Sequence, residues 1–359
     1  MTASGVALIV GFLVLLLLLV KPAGLYMANV FDGRPVWPLR VAAPLERWIY
    51  RCGGVDAASE MGWKPYAAGL LLFNALGALA VYLLQRCQAW LPLNPQKFAA
   101  LSPDSAFNTA VSFITNTNWQ GYSGESAMSY LTQMAGLAVQ NFLSAASGIV
   151  VAIALVRGLA RHSSRTIGNV WVDLTRATLY VLLPLALLLA LALVSQGVIQ
   201  NFSAYKDVST VEALTYQQPK TDAAGNPVKD AAGNPVQETV TTRTQTLPMG
   251  PIASQESIKE LGTNGGGFLN ANSAHPYENP TAISNLLEML AILIIPAGLT
   301  YTFGRLVGDT RQGWAVLAAM VLLFAAQYAI CNHSEQLGNP RVAALGVSQA
   351  ATALQPGGN

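Results

Sequence analysis

Two polar stretches carry residue types suited to holding a cation stripped of its water. The first is Thr115, Asn116, Thr117 and Asn118, followed by Trp119 and Gln120. The second is Thr263, Asn264, Gly265 and Gly266, flanked by Gly262 and Gly267 and offset by 263 − 115 = 148 residues. A filter for a bare ion needs consecutive backbone carbonyls turned toward one axis, and glycine permits the φ/ψ values and the close backbone approach this demands. The short Thr and Asn side chains can hydrogen-bond back to the backbone and hold carbonyls in place, while Trp119 could wedge the stretch against its surroundings. The same residues also make ordinary surface turns. The filter reading gains from repetition: both stretches occur in the order span, short helix, Thr-Asn, span, and repeated discontinuous helices point to a transport site.

Each stretch follows a short helix signal. Ser102 is placed to cap, Pro103 suits the first turn, Asp104 favours its positive end, and Ser105 to Ile114 continue the helix. In the second unit Ser254 is placed to cap and Gln255 to Leu261 to be helical. Helices of about ten residues reach only ~15 Å, half the hydrocarbon thickness, so they dip into a membrane or lie outside it. Non-helical backbone at membrane depth is tolerated only where protein buries it or where it lines an aqueous path. The carboxyl ends of both helices would turn negative partial charge toward a cation.

The surroundings are those of an integral membrane protein. Over 359 residues, 52% are hydrophobic and 11% charged, against about 25% charged in average soluble domains. Six stretches approach the ~20 residues a spanning helix needs: about Ala3 to Val20, Tyr66 to Leu84, Ser129 to Val156, Ala177 to Gln196, Ala282 to Phe303 and Trp314 to Cys331. Gln140, Asn141, Ser144 and Ser147 interrupt the third, facing either a neighbouring helix or a wet cavity. Lys and Arg concentrate in the connections at 21–65, 157–176 and 304–313, which predicts that these are cytoplasmic. The apolar run Val6 to Val20 has no preceding positive charge, and Lys21 follows it. That polarity predicts a retained anchor ending near Lys21, with the amino terminus outside. The long outer connection repeats DAAGNPV at Asp222 to Val228 and Asp230 to Val236, turn chemistry that predicts an exposed loop or small hairpin.

Other chemistries find little support. The net charge is +2 with no block of like charge, which argues against nucleic acid. Cys52, Cys87 and Cys331 form no CxxC pair and read as buried thiols; His162, His275 and His333 are isolated, so no transition-metal site is expected. Phe268, Leu269 and Asn270 follow Gly267 where a phosphate-binding loop needs Lys and Ser or Thr. His275 and Glu278 are separated from Asp309 by a predicted span, leaving no acid–base constellation, so catalytic residues are not expected.

The chain resembles the KdpA family, the potassium-binding subunits of bacterial potassium-transporting ATPases. The resemblance covers essentially the whole chain. It rests on NTAVSFITNTNWQGYSGES at Asn108 to Ser126, TQMAGLAVQNFLSAASGI at Thr132 to Ile149, LPMGPIASQESIKELGTNGGGFLNANSAHPYENPTA at Leu247 to Ala282, and Gly308, Asp309, Arg311, Gln312 and Gly313. It implies an all-α integral membrane fold with potassium-channel-like repeats of transmembrane helix, re-entrant pore helix, filter loop and transmembrane helix. Residues 1–62 would form an extra N-terminal transmembrane helix and cytoplasmic loop, 63–165 a first pore repeat, and 166–312 a second with an extracytoplasmic insertion at 217–246. Residues 313–359 would begin a third repeat that is truncated at Asn359, leaving half of a filter ring. The resemblance further implies that Thr115, Asn116, Thr117, Asn118, Thr263, Asn264, Gly265 and Gly266 hold dehydrated potassium. It implies no organic cofactor, a location in the bacterial inner membrane, and partners of the KdpB (P-type ATPase), KdpC and KdpF types. Potassium would pass to KdpB through an intramembrane tunnel, so the chain would not itself be an enzyme. An independent potassium channel or symporter of the same fold group is the alternative, and a purely structural membrane scaffold a third.

Overall fold

The computed structural model describes residues 3–34, 37–161, 164–222, 227–231, 233–346, 348 and 349. His162, residues 223–226 and 232 of the DAAGNPV copies, and residues 351–359 of the expected third repeat lie outside the described residues.

The chain is mostly helical. Six helical stretches are long and apolar enough to cross a membrane: Gly5–Phe31, Trp63–Trp90, Thr132–Ala160, Val170–Ser195, Ala282–Leu306 and Thr310–Ala344. Each covers one of the six apolar runs in the sequence. In chain order the elements are α1 (Ala3–Phe31), α2 (Trp37–Gly53), α3 (Trp63–Cys87), α4 (Pro103–Ile114), α5 (Gly124–Ala127), α6 (Val139–Ala160), α7 (Val170–Arg176) and α8 (Leu183–Ser195). They continue with β1 (Lys206–Pro219), β2 (Gln237–Leu247), α9 (Ile252–Leu261), α10 (Ala282–Leu306), α11 (Thr310–Leu337) and α12 (Pro340–Ala344). A π-helical turn, Thr132–Ala138, leads into α6, and another, Ala177–Leu182, joins α7 to α8.

The first helix does not end near Lys21 as its charge suggested. It runs through Pro22 to Phe31 because its second half packs on α10. Gly24 lies against Gly298 and Tyr301, and the Thr302 hydroxyl donates to the Gly24 carbonyl at 2.9 Å. Small residues at a crossing let two backbones approach closely where apolar burial cannot drive association.

The connections rich in arginine meet at one end of the bundle. Arg157 grips Asp173 through both carboxylate oxygens at 2.5 and 3.0 Å, and the Tyr66 hydroxyl donates to the same carboxylate at 2.9 Å. Arg176 reaches Glu46 of α2 at 3.4 Å, and Glu46 also accepts from Tyr50 and Tyr180 at 2.7 Å each. Arg161 pairs with Glu60 at 2.9 Å. That two-pronged pairing, with the Thr166 hydroxyl adding a third hydrogen bond, holds the Glu60 carboxyl below its ordinary value of 4.5. A depressed carboxyl contributes stability above the unfolded value and loses it as pH falls through the folded one. The thermal midpoint of the wild type should therefore fall more on acidification below pH 4.5 than that of Glu60→Gln. The difference is small and shrinks at high salt because the pair is largely exposed; equal acid sensitivity would contradict it.

The connection between α8 and α9 is a hairpin longer than the expected insertion, with β1 and β2 antiparallel from Lys206↔Leu247 to Pro219↔Gln237. β-branched residues such as Val208, Val240, Thr242 and Thr244 favour the strands. Beyond the paired strands, Thr221↔Pro227 and Lys229↔Pro235 repeat the same local bridge. The cysteines depart from expectation: Cys52 and Cys331 are exposed and Cys87 is half-buried. Cys52 lies in the last turn of α2, and Cys331 lies on α11, where only Gly313 and Leu317 are buried.

Candidate functional site

Helix α4 begins as its sequence dictates: Ser102 caps it by accepting from the Ser105 N–H at 3.3 Å, and Pro103 occupies the first turn. It is docked on α3 by Gln85, buried, whose amide donates to the Ala106 carbonyl at 3.2 Å. Gln88, equally buried, ties the flanking loops together by donating to the Ala99 and Ala127 carbonyls at 2.5 and 2.7 Å. Helix α9 starts at Ile252, three residues before the Gln255 start that the sequence suggests. Ser254 is not its cap; the Ser254 N–H donates instead to Gln200 Oε1 at 3.0 Å, so a side chain from a distant segment satisfies the helix end.

The two polar stretches leave these helices in related conformations. Asn116 and Asn118 have φ of +62° and +51°, and Thr263 and Gly265 have φ of +59° and +79°. In both, left-handed residues alternate with others. The alternation is out of step with the 148-residue offset, because Thr263 and Gly265 correspond to Thr115 and Thr117. A left-handed conformation is uncommon outside glycine, and for β-branched Thr263 it is an outlier that persists only when its surroundings impose it.

Hydrogen bonds impose it across the chain. Asn116 Nδ2 donates to the Gly262 carbonyl at 3.0 Å and to Thr263 Oγ1 at 3.2 Å. Asn116 Oδ1 accepts from Ser144 Oγ at 2.8 Å and from Asn264 Nδ2, which also donates to Ser144 Oγ at 3.1 Å. Gln120 Nε2 donates to the Gly267 carbonyl at 3.0 Å, and Gly266 packs directly on Asn118. Ser112 holds the first stretch from below: its carbonyl accepts from the Thr117 N–H at 3.1 Å and its hydroxyl from the Trp119 N–H at 2.6 Å. Gly262 is buried within this seam and Gly267 is held by Asn272 Oδ1 at 3.1 Å.

The structure thus brings Asn116, Asn118, Gln120, Gly262, Thr263, Asn264, Gly266 and Gly267 into one seam. Thr115, Thr117, Thr263 and Gly265 are exposed along its open edge, while Asn118, Asn264 and Gly266 are buried. The Asn118 amide, buried, has both polar atoms without a hydrogen-bond partner among the described residues. Trp119 is 57% exposed, with its ring beside Gly121. The sequence pattern did not mark Gln85, Gln88 and Ser112, nor the buried ionic group of Glu256, Lys259 and Glu260 on α9, which Glu278, weighed only as an acid–base candidate, completes. Charged residues in a helix only ten residues long were the available signal, since such side chains are almost never fully buried unless paired.

Asn116 is the hinge pin of the seam. Asn116→Ala should leave the buried Asn264 amide and Ser144 hydroxyl short of partners, at about 1–3 kcal/mol for a stranded buried group. The check is a double-mutant cycle with Asn264→Ala on thermal stability: the two losses should be clearly less than additive. Additive losses would show that the residues do not act as a pair.

The family model for KdpA, "Potassium-transporting ATPase A subunit", matches residues 10–356. Curated proteins similar to the chain carry the name "Potassium-transporting ATPase potassium-binding subunit". One from Herminiimonas arsenicoxydans is 62% identical over 359 residues, covering 100% of this chain and 60% of its own length. One from Chromobacterium violaceum is 62% identical over 348 residues, covering 97% and 58%. A third, from Ralstonia nicotianae, is 65% identical over 342 residues, covering 94% and 57%. The chain spans about 60% of the length of these relatives.

Proposed function

The chain belongs to the KdpA family of potassium-transporting ATPase A subunits, and from that membership we propose that it binds potassium for an ATP-driven uptake complex whose ATP hydrolysis belongs to a partner. The observation that carries this reading is the pairing of two equivalent stretches, Thr115 to Asn118 and Thr263 to Gly266, through Asn116 and Asn264. Alternating left-handed residues are the conformation that turns successive peptide groups of an extended segment toward one side. The open edge of the seam would then offer backbone carbonyls and threonine hydroxyls, an oxygen-only set suited to replacing the water shell of potassium. Strain at Thr263, of order 1–3 kcal/mol, fits a segment shaped for binding rather than for stability alone.

In this reading α4 and α9 are the re-entrant pore helices, of 12 and 10 residues, whose carboxyl ends bias the path toward cations. Residues 63–165 and 166–312 are two pore repeats, 1–62 an additional span with its loop, and 313–359 the opening of a third repeat. The arginine-rich end of the bundle faces the cytoplasm of a bacterial inner membrane and the amino terminus lies outside. Potassium entering from outside would lose its water in the filter and pass through an intramembrane tunnel to a KdpB-type P-type ATPase, with KdpC- and KdpF-type subunits completing the assembly.

The test is calorimetric potassium titration of the protein isolated from membranes in detergent, together with identification of what co-purifies. Potassium binding and a co-purifying P-type ATPase are the expected results. Potassium uptake into vesicles free of any ATPase would instead favour the channel or symporter alternative.

A further inference from the structure

The buried ionic group beside the second stretch joins charges on α9 to the backbone that follows it. Lys259 is completely buried; its ammonium pairs with Glu256, one turn earlier on the helix, and with Glu278 Oε1 at 3.4 Å. Glu278 is also fully buried, and its carboxylate accepts two backbone N–H groups, from Leu269 to Oε1 at 3.1 Å and from Ser273 to Oε2 at 3.2 Å. Glu260 accepts from the Ser273 hydroxyl at 2.8 Å. The turn thus anchored is conformationally costly, with Asn272 and Ser273 at φ of +50° and +73°. It bonds to the candidate filter directly, through Asn272 Oδ1 and the Gly267 N–H at 3.1 Å.

The geometry therefore fixes Gly265 to Gly267 from both sides. Upstream, the Glu260 and Lys259 carbonyls accept from the Thr263 and Asn264 N–H groups at 3.1 and 2.9 Å. Downstream, the backbone at Leu269 and Ser273 is held by Glu278, and Lys259 holds Glu278. A carboxylate buried without a cation would be strongly disfavoured, so the ammonium is what allows a charged acceptor to sit there. Charge-assisted bonds are the shorter and stiffer kind.

We propose that Glu278 and Lys259 are positioning residues for ion selection: they clamp the returning turn and so set the position of the Gly265 to Gly267 carbonyls without touching the ion. The inference rests on the potassium-binding reading above. Discrimination between ions of similar charge depends on where the oxygens are held, so loosening the clamp should alter selectivity as well as affinity.

The test is potassium titration, with and without competing sodium, on wild-type, Glu278→Gln and Lys259→Met protein isolated from membranes in detergent. Glutamine keeps the shape of Glu278 but presents one acceptor where two N–H groups need one each. The expected result is roughly tenfold weaker potassium binding and a lower potassium-over-sodium ratio at an unchanged number of sites per chain. Where either variant fails to fold, Glu278→Asp is measured in its place. It keeps the charge but is too short to reach both amides, and the same drop in the ratio is expected. Hydrogen exchange at Leu269 and Ser273 should accelerate in parallel. If exchange accelerates while the ion ratio and affinity stay at wild-type values, the cluster is merely structural and the inference is overturned. A wild type that binds no potassium removes the functional reading itself, and the clamp with it.

Discussion

Gly266→Ala is expected to weaken potassium binding by about 5- to 150-fold, the equivalent of the ~1–3 kcal/mol that one extra carbon costs in a tightly packed site. A Cβ at Gly266 would stand 2.8 Å from the Asn118 carbonyl oxygen and 3.0 Å from its Nδ2, and closer still to Asn118 Cβ. None of these atoms is the free end of a long side chain. Asn118 is buried, and its neighbours Thr117 and Trp119 are held through Ser112, so the first stretch must shift to make room. The substitution thus disturbs both stretches from a position in one of them. Gly265→Ala is the informative contrast: its φ of +79° would strain an alanine, yet no atom of the described residues beyond its own chain neighbours lies within 4 Å of the added carbon. That variant should lose stability with a smaller effect on binding. Calorimetric titration reads both, and wild-type affinity in Gly266→Ala would sink the idea that the two stretches form one site.

The largest effect on stability is expected at the other end of the bundle. Asp173→Ala should cost about 3–5 kcal/mol, because removing one partner of a buried pair strands the other charge. Among the described residues Arg157 would keep the Phe31 and Ile167 carbonyls, at 3.4 and 3.2 Å, for a side chain that is 14% exposed. Tyr66 would lose its carboxylate acceptor and be left with the Val150 carbonyl at 3.4 Å. Thermal unfolding in detergent should show a fall of many degrees. The double variant Arg157→Met with Asp173→Leu should recover much of the loss, since replacing a buried pair by apolar residues is often neutral. A double variant no better than Asp173→Ala would show that the pair has a role beyond its own charge balance.

Residues close in sequence announced much of this protein. Long apolar runs marked all six spans, because a membrane leaves the backbone no partner but its own helix. Ser102, Pro103 and Asp104 marked the start of α4, since capping acts within one turn. The Thr-Asn order at 115 and 263 marked both halves of the candidate site; Asn116, Asn118 and Gly265 are types that left-handed backbone favours, whereas Thr263 takes that conformation because its surroundings impose it. The start of α9 was misplaced because its end is satisfied by Gln200, and α1 was cut short because Lys21 carries a charge signal but Gly24 carries the packing.

Residue types and periodicity therefore established a multi-span helical chain and two short-range filter candidates. The fold alone established that these candidates meet, that their left-handed residues are offset by one position, and that Lys259 and Glu278 stand behind the second. Asn116 and Asn264, or Lys259 and Glu278, are joined by hydrogen bonds and charge. Such contacts depend on where helices are packed and leave no periodic trace along the chain.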